Sequence, residues 1–171
     1  MRWLLLGVAL LVCLISDLRS RRIYDWVTLP VIALELVMRA WGEGLGDLER
    51  GALSGAVASL GAAGLFLIGA RIGRGFGWGD VKLIGAVGAT FGFPLVVSAL
   101  VLISLCGAAQ ALLALLWTRA LIQTLTRGAR RVAAALRLLE APPAQAPRSI
   151  PYGVAIAIGS FWAMWWERST M

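Results

Sequence analysis

The sequence predicts an all-α, polytopic integral membrane protein with about six transmembrane helices and one further amphipathic helix on the cytoplasmic side. Three observations predict it. The 171 residues are 60% hydrophobic and 15% charged, where a soluble domain has roughly 45–50% and 25%. Six apolar runs cover residues 3–16, 26–38, 52–70, 81–91, 95–117 and 150–166. Six spans of about 20 residues use roughly 120 residues, which leaves no room for a separate soluble domain. Most of the 16 Lys and Arg fall in alternate connections between these runs, the pattern that fixes orientation in a bilayer.

The first run follows Arg2 and has the length of a secretory signal, but no small-x-small cleavage site follows it, and Val12 is too bulky for a lipoprotein signal ending at Cys13. A retained first helix is expected. The second run carries Glu35 near its middle, and the third is rich in glycine, as close helix packing requires. Residues 81–117 are too long for one ordinary span, and Gly92-Phe93-Pro94 supplies a break, since proline disfavours helix in the residue before it. A tight hairpin is expected there. In residues 119–140, Leu121, Ile122, Leu125, Val132, Leu136 and Leu139 interleave with Arg127, Arg130, Arg131 and Arg137, which reads as a helix lying on anionic lipid. The proline-rich residues 141–147 form a stiff linker back to the last run.

The basic residues of the odd-numbered connections are Arg19, Arg21 and Arg22, then Arg71, Arg74 and Lys82, then the arginines from Arg119 to Arg148. These loops face the cytoplasm by the positive-inside rule, so both termini lie outside. The net charge of +7 is thereby explained by topology, and nucleic-acid binding is not needed. With no histidine, and with Cys13 and Cys106 in separate apolar runs, neither a His/Cys metal site nor a Cys-His nucleophile can be assembled. Carboxylates remain as the catalytic candidates.

Glu43, Asp47, Glu49, Glu140 and Glu167 sit in loops or after the last run and are read as solvated, while Glu35 has no assigned role beyond a hydrogen-bonded contact between helices. Asp17, Asp25 and Asp80 lie near the cytoplasmic ends of runs. Asp17 falls roughly 21 Å below the outer start of the first helix, and Asp80 roughly 18 Å from the same face, measured back from Gly92 at 1.5 Å per residue. The two acids are expected at similar depth. A carboxylate at membrane depth is costly and marks function by default. Two that approach closely cannot both ionise, which leaves one neutral acid and one base able to activate water against a peptide carbonyl, with no metal and no cofactor. The competing reading makes them boundary charges, Asp17 paired with Arg19, Arg21 or Arg22, and Asp80 with Lys82. The alternation of Gly73, Gly75, Gly77 and Gly79 before Asp80 suits no stable helix. It fits either close approach of an extended substrate or a flexible loop.

Gly77-Trp78-Gly79-Asp80-Val81-Lys82-Leu83 resembles the G-x-G-D-x-K signature of type IV prepilin peptidases, a group of intramembrane aspartic proteases. Asp17-Leu18-Arg19-Ser20-Arg21-Arg22-Ile23 resembles the motif of their first catalytic aspartate, and Ile150-Pro151-Tyr152-Gly153 resembles their last-helix segment. The three motifs, in order on six helices, cover most of the chain. The resemblance implies one membrane-embedded peptidase domain over residues 1–171, with residues 119–149 as its cytoplasmic segment and linker. It implies that Asp17 and Asp80 are the catalytic pair, with Gly77, Gly79, Lys82 and Asp25 in support, and that Pro151, Tyr152 and Gly153 shape the substrate groove. It also implies a bacterial inner-membrane location and a prepilin or pseudopilin precursor as partner, its basic leader cut at the cytoplasmic face. Bifunctional members carry a cytoplasmic domain with paired Cys-x-x-Cys motifs and methylate the new N-terminus. The short first loop and unpaired cysteines here are similar to the peptidase-only forms that serve Flp-type pili. Tyr24-Asp25 stands where the family has Pro-Asn and is similar to the Tyr-Asp of presenilin-like relatives; its place in the motif assigns Asp25 a supporting or capping role. A second reading, a small proton-coupled transporter, uses Asp17, Glu35 and Asp80 as a relay and needs acids spaced across the membrane. A third is a non-catalytic pilus assembly subunit.

Overall fold

The computed structural model describes residues 2–20, 23–47, 50–73, 77–117, 126 and 152–170. Six helices account for almost all of them: α1 Arg2–Ser20, α2 Asp25–Glu43, α3 Ala52–Gly73, α4 Trp78–Phe91, α5 Leu95–Trp117 and α6 Tyr152–Thr170. Each apolar run became a helix; α1 to α4 extend a few residues beyond their runs, α5 keeps the bounds of its run, and α6 is described from Tyr152 to Thr170. Among the described residues three helices, α1, α3 and α5, are long and apolar enough to cross a membrane. Helix α4, at 14 residues, is roughly 21 Å long, short of the ~30 Å hydrocarbon core. Helix α2 carries Asp25, Glu35, Arg39 and Glu43, a charge load that lowers its apolarity.

The chain divides into two compact units, residues 1–107 with 151–171, and residues 108–150. In the first, α4 is the central helix, packed by α1, α2, α3 and α6. Every residue from Asp80 to Phe91 except Lys82 is buried. Its small residues make this possible: a Cβ on Gly88 would lie 2.5 Å from the Ala58 carbonyl oxygen of α3, so only glycine admits so close a neighbour. Ala58, Ala62 and Phe66 of α3 face this core, while Leu53, Val57, Leu60, Leu65 and Ile68 of the same helix are exposed. An apolar exposed face of this kind suits lipid contact.

The predicted hairpin is present. Gly92 ends α4 with its N–H donating to the Gly88 carbonyl at 2.9 Å, Val96 N–H returns to Gly92 O at 2.8 Å, and Ser54 bonds both the N–H and the carbonyl of Phe93. In the second unit the described residues are the last turns of α5, with Leu112, Leu113, Leu116 and Trp117 exposed, and Thr126. The amphipathic helix expected over 119–140 and the linker over 141–147 otherwise lie outside the described residues.

The glycine alternation before Asp80 does not exclude helix throughout. Gly73 closes α3, Gly79 lies in the first turn of α4, and Gly77 is the extended residue that precedes it; Gly75 lies outside the described residues.

Candidate active site

Asp17 is carried inward by the periodicity of α1. Leu6, Leu10, Cys13 and Asp17 recur at spacings of four, three and four and form one buried stripe, so the carboxylate continues the core face of the helix. Its Oδ2 accepts the Gly153 N–H at 3.1 Å. Gly153 is in the first turn of α6, where main-chain N–H groups have no partner within the helix and the helix dipole favours an anion. A Cβ at this position would lie 2.6 Å from Asp17 Oδ2. The tyrosine-glycine segment therefore builds the aspartate's own surroundings, beyond the substrate-shaping role that its resemblance implies.

Asp80 is held in a parallel way. It is the third residue of α4, and its Oδ2 accepts the N–H of Gly77, the capping residue, at 2.8 Å. A carboxylate reaching back to the cap satisfies a donor that the helix cannot. Both carboxylates thus take a main-chain glycine N–H at the start of a helix.

The two aspartates lie at one end of the helix bundle, Asp17 against the first turn of α6 and Asp80 in the first turn of α4. The opposite ends of their helices fix this arrangement. Trp3 near the start of α1 meets Phe91 at the end of α4 edge-on, with ring centroids 5.0 Å apart. From that contact, Asp17 lies roughly 21 Å along α1, and Asp80 roughly 17 Å along α4. Tyr152 begins α6, and its ring packs against Phe66 with centroids 6.1 Å apart. Pro151 lies outside the described residues.

Lys82 pairs with Asp25, Nζ to Oδ2 at 2.5 Å, so its ammonium is engaged by α2. Asp25 is the first residue of α2 and makes no side-chain cap; Tyr24 precedes the helix in extended conformation. The ion pair joins the starts of α2 and α4. Gly79 is occupied from within the chain: a Cβ there would lie 2.6 Å from Ile23 Cβ. The close neighbour that glycine accommodates in this structure is Ile23, where the sequence had suggested a substrate.

Two expectations for other acids are corrected. Glu43 is not simply solvated, for Arg2 holds its two oxygens at 2.7 and 3.0 Å. Ser98 Oγ likewise lies 3.4 Å from Glu167 Oε1, while Glu49 and Glu140 fall outside the described residues. Glu35 is fully buried, and neither oxygen has a hydrogen-bond partner among the described residues. Thr90 is beside it but directs its hydroxyl to the Ala86 carbonyl at 3.1 Å, so the contact between helices is not the hydrogen bond expected. Sequence reading also passed over Arg39, whose guanidinium donates to the carbonyls of Ala89, Thr90 and Arg50 at 2.8, 2.6 and 2.5 Å. An arginine at the end of an apolar run was the available signal.

Residues 4–112 match the type IV leader peptidase family. The chain is also 35% identical over 119 residues to the prepilin leader peptidase/N-methyltransferase of Escherichia coli (strain K12), an alignment covering 67% of this chain and 51% of that protein. It therefore spans about half the length of this curated relative. No solved structure matches. The matched region runs from α1 into α5 and takes in both buried aspartates with their glycine-rich approach, and on that match the chain belongs to the type IV leader peptidase family.

Proposed function

We propose that the chain is an intramembrane aspartyl endopeptidase that removes the short basic leader from type IV prepilin-like precursors, with Asp17 and Asp80 as its catalytic pair. The observation that carries this reading is the placement of two buried carboxylates from different helices at one end of the bundle, each held by a glycine N–H at the start of a helix. Mutual repulsion keeps one proton between them. The ionised carboxylate takes a proton from water as its oxygen attacks the scissile carbonyl, and the protonated one supplies a proton to the carbonyl oxygen. As the carbon–nitrogen bond breaks, the carboxyl that took the water's proton gives it to the departing amine, and the other takes a proton from a hydroxyl of the tetrahedral intermediate, which restores the starting pair.

Arg19, Arg71 and Lys82 lie toward this same end of the helices, which supports a cytoplasmic-face site in a bacterial inner membrane, both termini outside. The precursor's apolar helix lies against the spans, and its leader stays at the inner surface. The relative's name supports the prepilin as substrate; the short-form resemblance favours an Flp-type precursor. Helix α1 ends at Ser20 and α2 begins at Asp25, so the first connection has no room for an inserted methyltransferase domain, and the activity assigned is peptidase alone. A proton relay is less well supported, because Glu35 makes no hydrogen bond among the described residues that would link it to either aspartate.

The test is co-expression with a candidate Flp-type prepilin, following leader removal by gel shift and by the mass of the new N-terminus. Asp17→Asn and Asp80→Asn abolish cleavage, while Asp25→Asn retains it. Cleavage that survives Asp17→Asn and fails in Asp25→Asn would move the first catalytic acid to Asp25. Cleavage surviving both Asp17→Asn and Asp80→Asn would end the protease assignment.

A further inference from the structure

The end of the bundle away from the aspartates holds a cavity of about 430 Å³. Helices α1, α2 and α4 each bring one end to the aspartate side and the other to this cavity. Arg2 and Trp3 start α1, Arg39 and Glu43 finish α2, and Thr90 and Phe91 finish α4, all lining it. Its lining is unbalanced in charge. Arg2, Arg39 and Arg50 face one carboxylate, that of Glu43, among the described residues. That carboxylate is already shared: Arg2 holds both oxygens, and Arg39 Nη1 lies 3.7 Å from Oε2.

Arg39 is buried, and its three bonds to the carbonyls of Ala89, Thr90 and Arg50 fix its position without neutralising its charge. Asp47 accepts the main-chain N–H of Arg50 at 3.3 Å, and Glu35 lies one turn below Arg39 without lining the cavity. Arg39 is withdrawn from water, and with the more accessible Arg2 and Arg50 it outnumbers the carboxylates around it, which favours an anion. The remaining wall is apolar, made by Trp3, Phe91, Pro94 and Leu95. Helices α1 and α5 both reach membrane-crossing length and both begin here, which sets the cavity at the level of lipid head groups. Trp3 at its edge is the residue type that prefers this level.

We propose that this cavity binds the head group of an anionic phospholipid, its phosphate held between the guanidiniums of Arg2 and Arg50 over the charge of Arg39. The glycerol and first acyl carbons lie on Trp3, Pro94 and Leu95. An inorganic phosphate would meet the same guanidiniums but leave this apolar wall in water. The site is independent of the peptidase assignment, since it lies at the other end of the same helices.

Its test is a binding titration on the purified full-length protein in detergent, read by native mass spectrometry, with short-chain phosphatidylglycerol, short-chain phosphatidylcholine and inorganic phosphate as probes. Arg50 is exposed, so Arg50→Gln removes a charge without opening the core. Phosphatidylglycerol binds the unmodified protein more tightly than phosphatidylcholine, Arg50→Gln weakens it about fivefold, and Arg50→Lys keeps most of the affinity. Arg71→Gln, a similar change at the aspartate end, leaves it unaltered. Equal affinity for the two lipids, no effect of Arg50→Gln, or equal weakening by Arg71→Gln would overturn the assignment. Inorganic phosphate that displaced the lipid at comparable concentration would overturn the lipid as occupant.

Discussion

The main-chain N–H of Gly153 donates to Asp17 Oδ2 at 3.1 Å, joining two residues 136 positions apart in sequence. The contact leaves no room for a methyl group, since a Cβ on Gly153 would stand 2.6 Å from that oxygen. Gly153→Ala is expected to displace the Asp17 carboxylate and to lower leader cleavage at least about tenfold, with a stability loss of about 1–3 kcal/mol. Cleavage rate and thermal unfolding, measured side by side in detergent, check this; wild-type cleavage in Gly153→Ala would show that Asp17 does not depend on this contact.

Gly79 makes a prediction of coupling. Gly79→Ala brings a Cβ to 2.6 Å from Ile23 Cβ and is expected to destabilise by about 1–3 kcal/mol. Removing the opposing bulk in an Ile23→Ala, Gly79→Ala double variant recovers part of that loss. A double-mutant cycle measures the interaction, which is expected to be at least about 0.5 kcal/mol for residues in contact; simple additivity would count against Ile23 as the reason for glycine here.

The Lys82–Asp25 pair is partly exposed, its side chains 33% and 58% accessible. Solvent screening limits such a pair to about 0.2–1 kcal/mol. Lys82→Met should therefore shift unfolding only slightly and reduce cleavage by less than about threefold, in contrast to either aspartate variant. A loss as complete as that of Asp80→Asn would give Lys82 a direct part in the chemistry.

Arg39 holds the last carbonyls of α4, which no intrahelical N–H can reach. Arg39→Met leaves those carbonyls short of a partner, while Glu43 keeps Arg2, and is expected to cost about 3 kcal/mol. Glu35→Gln keeps shape and removes a carboxyl whose two oxygens have no hydrogen-bond partner among the described residues, so stability and cleavage should both stay near wild type. Thermal unfolding of the two variants, one turn apart on α2, gives opposite outcomes if this holds.

The helices were legible in the sequence because apolar run length and the Gly92-Phe93-Pro94 break are local properties. The shared end of Asp17 and Asp80 was legible too, since fixed rise per residue converts sequence distance into depth. Hydrogen-bond partners were not. Gly153 with Asp17, Arg2 with Glu43 and Lys82 with Asp25 are separated by 136, 41 and 57 residues, and which groups meet depends on how helices rotate and pack. The neighbour of Gly79 was not legible for the same reason, because nothing local reveals that Ile23 lies over it. Glu35 stood out as an acid in an apolar run, but that neither oxygen has a hydrogen-bond partner among the described residues is a property of the packed core.

The polar ties at the cavity end have a mechanical consequence. Arg2 on Glu43, Arg39 on the carbonyls closing α4, and Trp3 on Phe91 fasten α1, α2 and α4 to one another at one end. Helix α1 is like one arm of a pair of forceps, fastened to α2 and α4 at its base and bearing Asp17 near its tip. With an arm of roughly 21 Å, a tilt of about 5° at the base carries Asp17 by about 2 Å. Small angular changes at the fastened end are thus magnified into a stroke on the scale of a single hydrogen bond.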